Sequence, residues 1–227
     1  MPRIARIVAT GYPHHITQRG NYRQTVFVKD SEYSGYLKWM DEYARKYKLS
    51  ILAYCLMPNH VHFIVIPEEK DSLAKVFNTC HMRYSQYFNK KNHLTGHLWQ
   101  GRFYSCVLDE IHLYATCRYV ENNPVRAKLV RKPENWQWSS AKAHLNKGVS
   151  IISLADIRKY AEIDDWAEYL SQKEEEAIVT KIRSNTLSGK PLGDNSFIQK
   201  LEQLFGKRVR KLPRGRPCKK QENRRCP

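Results

Sequence analysis

This chain of 227 residues has no apolar run long enough to cross a membrane, and its opening MPRIARIVATGYPHH lacks the apolar core of a secretory signal. Its six cysteines form no C-x-x-C pair, which argues against a zinc ribbon or knuckle. Four of them lie within apolar or helical patterns, which predicts buried thiols. Internal repeats are also absent. We therefore expect a cytoplasmic protein without disulfide bonds.

Acidic residues are scarce relative to basic ones. The chain has 22 Asp and Glu against 39 Lys and Arg, a formal net charge of +17. Such an imbalance indicates a polyanionic partner, with nucleic acid as the first candidate and an anionic membrane surface as the second. The hydrophobic fraction of 41% and the aromatic fraction of 11% are sufficient for an ordinary buried core and argue against general disorder.

The hydrophobic patterns predict an α+β fold. They indicate a strand over 12–20, a helix over 31–48 with Ser31 as N-cap, a hairpin of strands over 50–56 and 60–66, a helix from Asp71 or Ser72 to about Lys90, a strand over 103–108, and a helix from Asp109 that ends before Pro124. The order β-α-β-β-α-β followed by a helix predicts a ferredoxin-like antiparallel sheet with two helices on one face.

Composition changes divide the chain into three parts. We expect one domain over 1–147, a small helical C-terminal extension over 148–205 and a basic tail over 206–227, which we expect to be disordered. The PRGRP segment of the tail is similar to an AT-hook, in which Arg214 and Arg216 would enter the minor groove of DNA. A basic tail that binds any phosphate backbone is the alternative.

His60 and His62 lie on either side of Val61 in the second strand of the hairpin, so both project from one face. A His-x-His triplet often arises by chance, and a surface pair is the alternative. Tyr119 and Asn123 are four residues apart and share a face of the helix that follows the last strand. If that helix packs across the sheet, the four side chains form a mixed nitrogen and oxygen site. Such a site suits Mg²⁺ or Mn²⁺ better than a closed zinc site.

The segments AYCLMPNHVHFIV, HLWQGRF, YVENNPVRAKLV and WQWSS, in this order, resemble the REP-associated tyrosine transposases. These are relatives of the single-tyrosine transposases of small insertion sequences, within the HUH nuclease superfamily. The resemblance covers residues 1 to about 145 and implies the HUH nuclease fold. It implies that His60 and His62 hold a divalent metal, that Tyr119 is the nucleophile and that Asn123 completes the metal site. The insertion-sequence relatives usually carry Gln at the last position, and the shorter Asn leaves direct or water-mediated ligation open.

The resemblance implies a metal-dependent transposase and endonuclease. Such an enzyme cleaves and rejoins single-stranded hairpin DNA of the REP type through a 5′-phosphotyrosine intermediate, as a cytoplasmic, nucleoid-associated monomer or homodimer. A hairpin-binding regulator without cleavage activity is the alternative, although it would have no need of four functional groups at these spacings.

Other polar and aromatic side chains are weaker candidates. Basic residues in or beside loops and strand ends are expected to contact DNA: Arg19, Arg23 and Arg102. Arg83 lies in HMRYSQYFNKK, whose aromatic residues have the spacing of a helix core, so only its basic residues remain candidates for phosphate contact. His112 is a possible general base, Tyr104 and Tyr114 compete with Tyr119, and at most one of His14 and His15 faces the site.

Overall fold

The computed structural model describes residues 6–160, 163 and 165–210. Its strands are β1 His14–Arg19, β2 Leu49–Met57, β3 His60–Pro67 and β4 Tyr104–Val107. Its helices are α1 Asp30–Lys46, α2 Ser72–Asn92, α3 Glu110–Glu121, α4 Asn123–Arg126, α5 Ala141–His144, α6 Trp166–Ser171, α7 Glu176–Ser188 and α8 Asn195–Phe205.

The four strands form one antiparallel sheet in the order β2-β3-β1-β4. This order and the sequence of elements confirm the predicted α+β, ferredoxin-like arrangement. The central strands β3 and β1 pair along their whole lengths, from His14 opposite Val65 to Arg19 opposite His60. In the part of the chain that the structure describes, no helix is both long and apolar enough to span a membrane.

One face of the sheet packs on α1 and α2. Alternate residues of β3 point into this core, among them Val61 and Phe63, which are fully buried. Tyr84 of α2 is also fully buried, and its neighbour Phe88 is 8% exposed. The prediction that these aromatic residues belong to the helix core is therefore confirmed.

The opposite face of the sheet is covered as well, by α3, α6 and α7. Ile64 and Cys106 of the sheet pack with residues from these helices, including Cys117, Trp166 and Ile182. Most of the predicted C-terminal extension thus contributes to a core that it shares with the sheet. The four cysteines expected to be buried thiols, Cys55, Cys80, Cys106 and Cys117, are buried and free.

Both edges of the sheet carry additional backbone pairing. The WQWSS segment runs beside β2, where the Leu56 and Ser140 amides bond to the Trp138 and Tyr54 carbonyls at 2.9 and 3.0 Å. Leu192 of the extension covers β4 in the same way, since its amide bonds to the carbonyl of Val107 at 2.8 Å. These bonds reduce the free edge available for pairing with another chain.

Three local predictions differ from the structure. Helix α1 begins at Asp30 with Lys29 as N-cap, not at Ser31, because Glu32 accepts hydrogen bonds from the Val28 and Lys29 amides. The helix after β4 is not continuous to Asn123, since α3 ends at Glu121 and α4 begins at Asn123. Residues 206–210, assigned to the tail, pack on α8: Val209 is fully buried and Arg210 pairs with Glu202 at 2.6 Å.

Candidate active site

His60 and His62 project from the sheet face that α3 and α7 cover. On β1, Arg19 lies opposite His60 and Thr17 lies opposite His62, so their side chains share that face. The two imidazole rings are 5.0 Å apart between centroids and nearly perpendicular, at 84°. His62 is 5% exposed and His60 is half-buried. The prediction that the two histidines share one face is confirmed.

A neighbouring amide fixes the orientation of His60. Nδ2 of Asn59 donates to the carbonyl of Arg23 at 3.2 Å, so Oδ1 of Asn59 faces the imidazole and accepts from Nδ1 of His60 at 2.6 Å. Because a neutral imidazole carries one N–H, Nε2 of His60 has a free lone pair. That lone pair points to Asn123, whose Nδ2 lies 3.3 Å away.

A second histidine contacts His62 from the adjacent strand. Nε2 of His15 lies 2.9 Å from Nδ1 of His62, and the two ring planes are nearly parallel, at 9°, with centroids 5.1 Å apart. On its other side, Nδ1 of His15 lies 2.8 Å from the hydroxyl of Thr186 in α7. Of the two adjacent histidines on β1, His15 therefore faces the site. His14 bonds instead to the carbonyl of Tyr12 and the amide of Ala9.

Tyr119 lies in the last turn of α3, above the histidines. The edge of its ring faces His62 at 5.7 Å and His15 at 6.1 Å between centroids. The side chain is 6% exposed, and its hydroxyl makes no hydrogen bond to any residue within 6–160, 163 and 165–210. The phenol ring is thus held by packing, and its oxygen has no hydrogen-bond partner among the described residues.

The break between α3 and α4 shapes this end of the site. Pro124 in the first turn of α4 has no N–H to continue the helix, and the last carbonyls of α3 need other partners. Arg126 supplies one, since its Nη2 donates to the Tyr119 carbonyl at 2.7 Å. Its Nη1 pairs with Glu174 at 2.7 Å. Asn123 therefore reaches His60 from a new helix and not from the face of α3.

Two guanidinium groups lie over the Tyr119 ring. Cζ of Arg126 is 4.2 Å from the ring centroid, and Cζ of Arg183, from α7, is 5.8 Å away. Arg183 is exposed. Cations at these distances interact favourably with an aromatic face. They also place positive charge beside the phenol ring.

The histidines of the site are neutral at physiological pH. Burial lowers the pKa of His60 to about 3, with Arg19 and Arg126 contributing further. Burial also lowers the pKa of His15 to about 3. It depresses the pKa of His62 well below 6.5, and the neighbouring His60 and His15 add to that effect. Neutral imidazole is the form that binds metal ions.

The side chains at this site are suited to a divalent cation that keeps some coordination positions open. No cluster of three or more His, Cys, Asp or Glu side chains suited to a metal occurs among the described residues, so the two imidazoles need further ligands. Nδ2 of Asn123 now contacts the free lone pair of His60, and rotation of that amide would present Oδ1 instead. Two imidazoles, one amide oxygen and positions left for water or phosphate oxygen are compatible with Mg²⁺ or Mn²⁺.

Three of the predicted DNA-contacting arginines lie near this end of the sheet. Arg19 shares the face of His60, and Arg23 is exposed in the loop that holds Asn59. Arg102 is exposed just after Gln100, whose amide bonds to the Arg19 carbonyl at 3.0 Å. Arg214 and Arg216 lie outside the described residues.

Arg83 is not brought to the site. Its guanidinium donates to the Tyr43 hydroxyl at 2.8 Å and lies 4.5 Å from the centroid of the Trp39 ring. These contacts join α2 to α1, on the face of the sheet opposite to His60 and His62. The expectation of a DNA contact for Arg83 therefore has no support in its position.

The other candidates differ in their distance from the histidines. His112 pairs with Asp109 at 2.7 Å at the start of α3, about 10 Å along the helix axis from Tyr119. The hydroxyl of Tyr114 donates to the Ile157 carbonyl at 3.3 Å, away from the site. Tyr104 is 41% exposed and lies opposite Thr17 on the site face, two strands or about 10 Å from His62. Tyr104 is thus the nearer competitor.

Three further residues at the site, Arg126, Thr186 and Arg183, were not among the sequence-based candidates. Arg126 lies in the YVENNPVRAKLV segment with Tyr119 and Asn123, so its position in the sequence already indicated that it lies near them. His15 was recognised only as one of two alternatives. Thr186 and Arg183 belong to the C-terminal extension, and no pattern in the sequence connects them to His62 or Tyr119.

Comparison with known proteins gives two kinds of similarity. The family model described as "Transposase IS200 like" matches residues 9–123, just over half of the chain. A solved structure of a REP-associated tyrosine transposase bound to a REP hairpin has the same fold, with a TM-score of 0.53 and 20% identity over 74% of this chain and 96% of that one.

A second solved structure, of a candidate transposase from Deinococcus radiodurans R1, is 21% identical over 53% of this chain and 97% of its own, with a TM-score of 0.38. No protein of curated function matches the chain significantly.

Proposed function

The chain belongs to the IS200-like transposase family, and from that membership we propose that it cleaves and rejoins single-stranded hairpin DNA through a phosphotyrosine on Tyr119. One observation carries the proposal. A phenol, two imidazoles and a carboxamide converge from α3, β3 and α4, with Asn123 at 3.3 Å from His60 and Tyr119 ring-to-ring at 5.7 Å from His62.

The chemistry of these groups is that of a transesterification. The Tyr119 oxygen forms a bond to phosphorus while the bond between phosphorus and the 3′ oxygen breaks. The phenol gives up its proton, and the departing oxygen takes one to become a 3′-OH. The phosphodiester is retained on the protein, so attack by a 3′-OH in the reverse direction rejoins strands without ATP.

His60, His62 and Asn123 would hold the divalent cation in this scheme. When bound, such a cation neutralises charge on the scissile phosphate and polarises it for attack. Arg126 and Arg183 place further positive charge beside the phenol ring. This charge would favour the approach of a phosphate to the Tyr119 hydroxyl.

The substrate assignment has weaker support than the chemistry. The net charge of +17 favours a nucleic acid, and the exposed basic side chains of Arg23 and Arg102 lie at the same end of the sheet as the histidines. The solved relative of the same fold is bound to a REP hairpin. We assign single-stranded hairpins of this kind to the present chain on that basis.

A labelled hairpin oligonucleotide incubated with Mg²⁺ or Mn²⁺ tests the proposal. The wild-type protein should give a covalent protein–DNA band on a denaturing gel and a fragment ending in a free 3′-OH. Both products should be lost with EDTA and in Tyr119→Phe, which removes only the reacting oxygen. Tyr104→Phe and Tyr114→Phe are matched controls that should still form the adduct.

Two outcomes would contradict the proposal. Adduct formation that survives in Tyr119→Phe and disappears in Tyr104→Phe would transfer the nucleophile to Tyr104. Tight hairpin binding with no covalent band in any variant or metal would instead favour a regulator that binds hairpins without cutting them.

A further inference from the structure

A continuous chain of hydrogen bonds leads from α7 to His62. It starts at the Thr186 hydroxyl, 2.8 Å from Nδ1 of His15, and continues from Nε2 of His15 to Nδ1 of His62, at 2.9 Å. Thr186, His15 and His62 are 2%, 1% and 5% exposed. Water cannot replace these bonds at such burial, so each polar atom needs its protein partner.

This chain of hydrogen bonds can run in two directions, since the Thr186 hydroxyl and each neutral imidazole can donate one proton and accept another. The two directions place the proton of His62 on different ring nitrogens.

Metal binding by His62 requires one of these directions, the one in which the Thr186 oxygen accepts from Nδ1–H of His15. A neutral His15 has no second N–H, so its Nε2 accepts from Nδ1–H of His62. The proton of His62 is then on Nδ1, and its Nε2 presents a lone pair to the site. In the opposite tautomer, Nε2 of His62 would carry the proton and could bind no metal.

We propose that His15 is a positioning residue which, held by Thr186 of α7, fixes His62 in the tautomer and ring orientation that bind a divalent cation. This inference rests on the proposed function. Each metal-binding histidine then has its own orienting partner, because Asn59 bonds to Nδ1 of His60 and His15 bonds to Nδ1 of His62. It also makes α7, from the C-terminal extension, part of the metal site.

Simple packing does not account for this arrangement. Two apolar side chains could fill the space of the two imidazole rings, and their burial would cost less free energy of desolvation. Thr186 is buried on α7 with its oxygen aimed at His15, although a valine of the same shape would fill the space. Partners that orient metal-binding histidines typically change metal affinity about 10- to 100-fold when removed.

Four variants of the full chain separate positioning from packing. His15→Leu removes both nitrogens, while His15→Gln keeps an acceptor near the position of Nε2. Thr186→Val removes the hydroxyl without changing shape, while Thr186→Ser keeps it. Circular dichroism and thermal unfolding identify any variant that fails to fold. If His15→Leu fails to fold, the comparison of Thr186→Val with Thr186→Ser still separates positioning from packing.

The primary readout is Mn²⁺ binding, measured by titration calorimetry without DNA, so that it does not depend on cleavage. Affinity should fall about 10- to 100-fold in His15→Leu, fall in the same direction in Thr186→Val, and remain near wild type in His15→Gln and Thr186→Ser. In the metal-free protein, ¹⁵N-detected imidazole spectra should show His62 protonated at Nδ1 in the wild type and a mixture of tautomers in His15→Leu.

The possible failures are distinct. Mn²⁺ binding that requires His62 but is unchanged in both His15→Leu and Thr186→Val would overturn the positioning role alone. Wild-type protein that binds no Mn²⁺ through His62 would overturn the proposed metal site, and this inference with it. A wild-type His62 protonated at Nε2 would overturn the assignment of the hydrogen bonds directly.

Discussion

Arg126 holds Tyr119 by two contacts at once: its guanidinium lies 4.2 Å from the ring centroid, and its Nη2 donates to the Tyr119 carbonyl at 2.7 Å. The same guanidinium pairs with Glu174, between α6 and α7. Tyr119 is therefore fixed by a residue from beyond the helix break at Asn122, and that residue is in turn fixed by the C-terminal extension.

Replacing Arg126 should slow chemistry more than it weakens DNA binding. Arg126→Gln removes a cation–π contact worth about 1–2 kcal/mol when partly buried, which predicts about tenfold slower adduct formation in single-turnover experiments. Arg131→Gln is the matched control, because Arg131 is exposed and lies in the same segment. If both variants slowed adduct formation equally, the cause would be the loss of positive charge and not the loss of the contact with Tyr119.

Asn123 should contribute to metal affinity. Asn123→Ala is expected to weaken Mn²⁺ binding about tenfold or more, the scale typical of lost ligands or their partners, whereas Asn123→Asp should strengthen it by adding a negative charge. Asn122→Ala is the control, since its Nδ2 donates to the Leu170 carbonyl at 2.9 Å, away from the histidines. Calorimetry that finds wild-type affinity in Asn123→Ala would remove Asn123 from the metal site.

Arg19 and Arg83 should differ in their effect on DNA affinity. Arg19 lies on the face of His60, whereas Arg83 is held by Tyr43 and Trp39 on the opposite face. In a Tyr119→Phe background that prevents cleavage, Arg19→Gln should reduce the slope of log affinity against log salt by about 1. Arg83→Gln should leave the slope unchanged. The reverse result in fluorescence anisotropy would place the DNA on the face formed by α1 and α2.

The buried Glu121 carboxylate should make stability depend on pH. It accepts from the indole of Trp166 at 2.9 Å and pairs with Nδ1 of His144 at 2.6 Å. Burial alone would lower the pKa of His144, but the charge and hydrogen bond of Glu121 outweigh it and raise the pKa. The stabilisation from protonated His144 is therefore complete below the unfolded pKa of about 6.5 and is lost as the pH rises through the folded value.

Urea unfolding of His144→Gln at two pH values tests this linkage. The variant should be about 2 kcal/mol less stable than wild type at pH 6, the scale of a hydrogen bond to a charged group, and the difference should shrink at pH 9. His97→Gln changes an exposed histidine and should have no effect at either pH. A difference that grows towards pH 9 would have the wrong sign for a raised pKa.

The sequence predicted the parts of the site that depend on local periodicity. Alternation along β3 placed His60 and His62 on one face, and Asp109 caps α3 as expected, accepting from the His112 amide at 2.8 Å. The sequence also indicated that Pro124 ends a helix, although the break begins at Asn122. Each of these features is determined by residues within a few positions of one another.

Contacts between distant segments were not predictable in this way. The register of β1 against β3 determines that His15, and not His14, faces the site. Thr186 reaches His15 only because α7 packs on the sheet. For Arg83, the basic and aromatic neighbours suggested DNA contact, whereas the packing of α2 on α1 directs its guanidinium to Tyr43. Side-chain partners at such separations depend on tertiary packing, which local patterns do not encode.

The bond between His15 and Thr186 joins residues 171 positions apart. During synthesis the first strands of the sheet leave the ribosome many seconds before α7, at roughly 5–20 residues per second. A nascent or prematurely terminated chain that already contains His60, His62 and Tyr119 still lacks the hydroxyl that holds His15. The order of translation therefore delays this bond until α7 has been made, and fragments that end before α7 lack it.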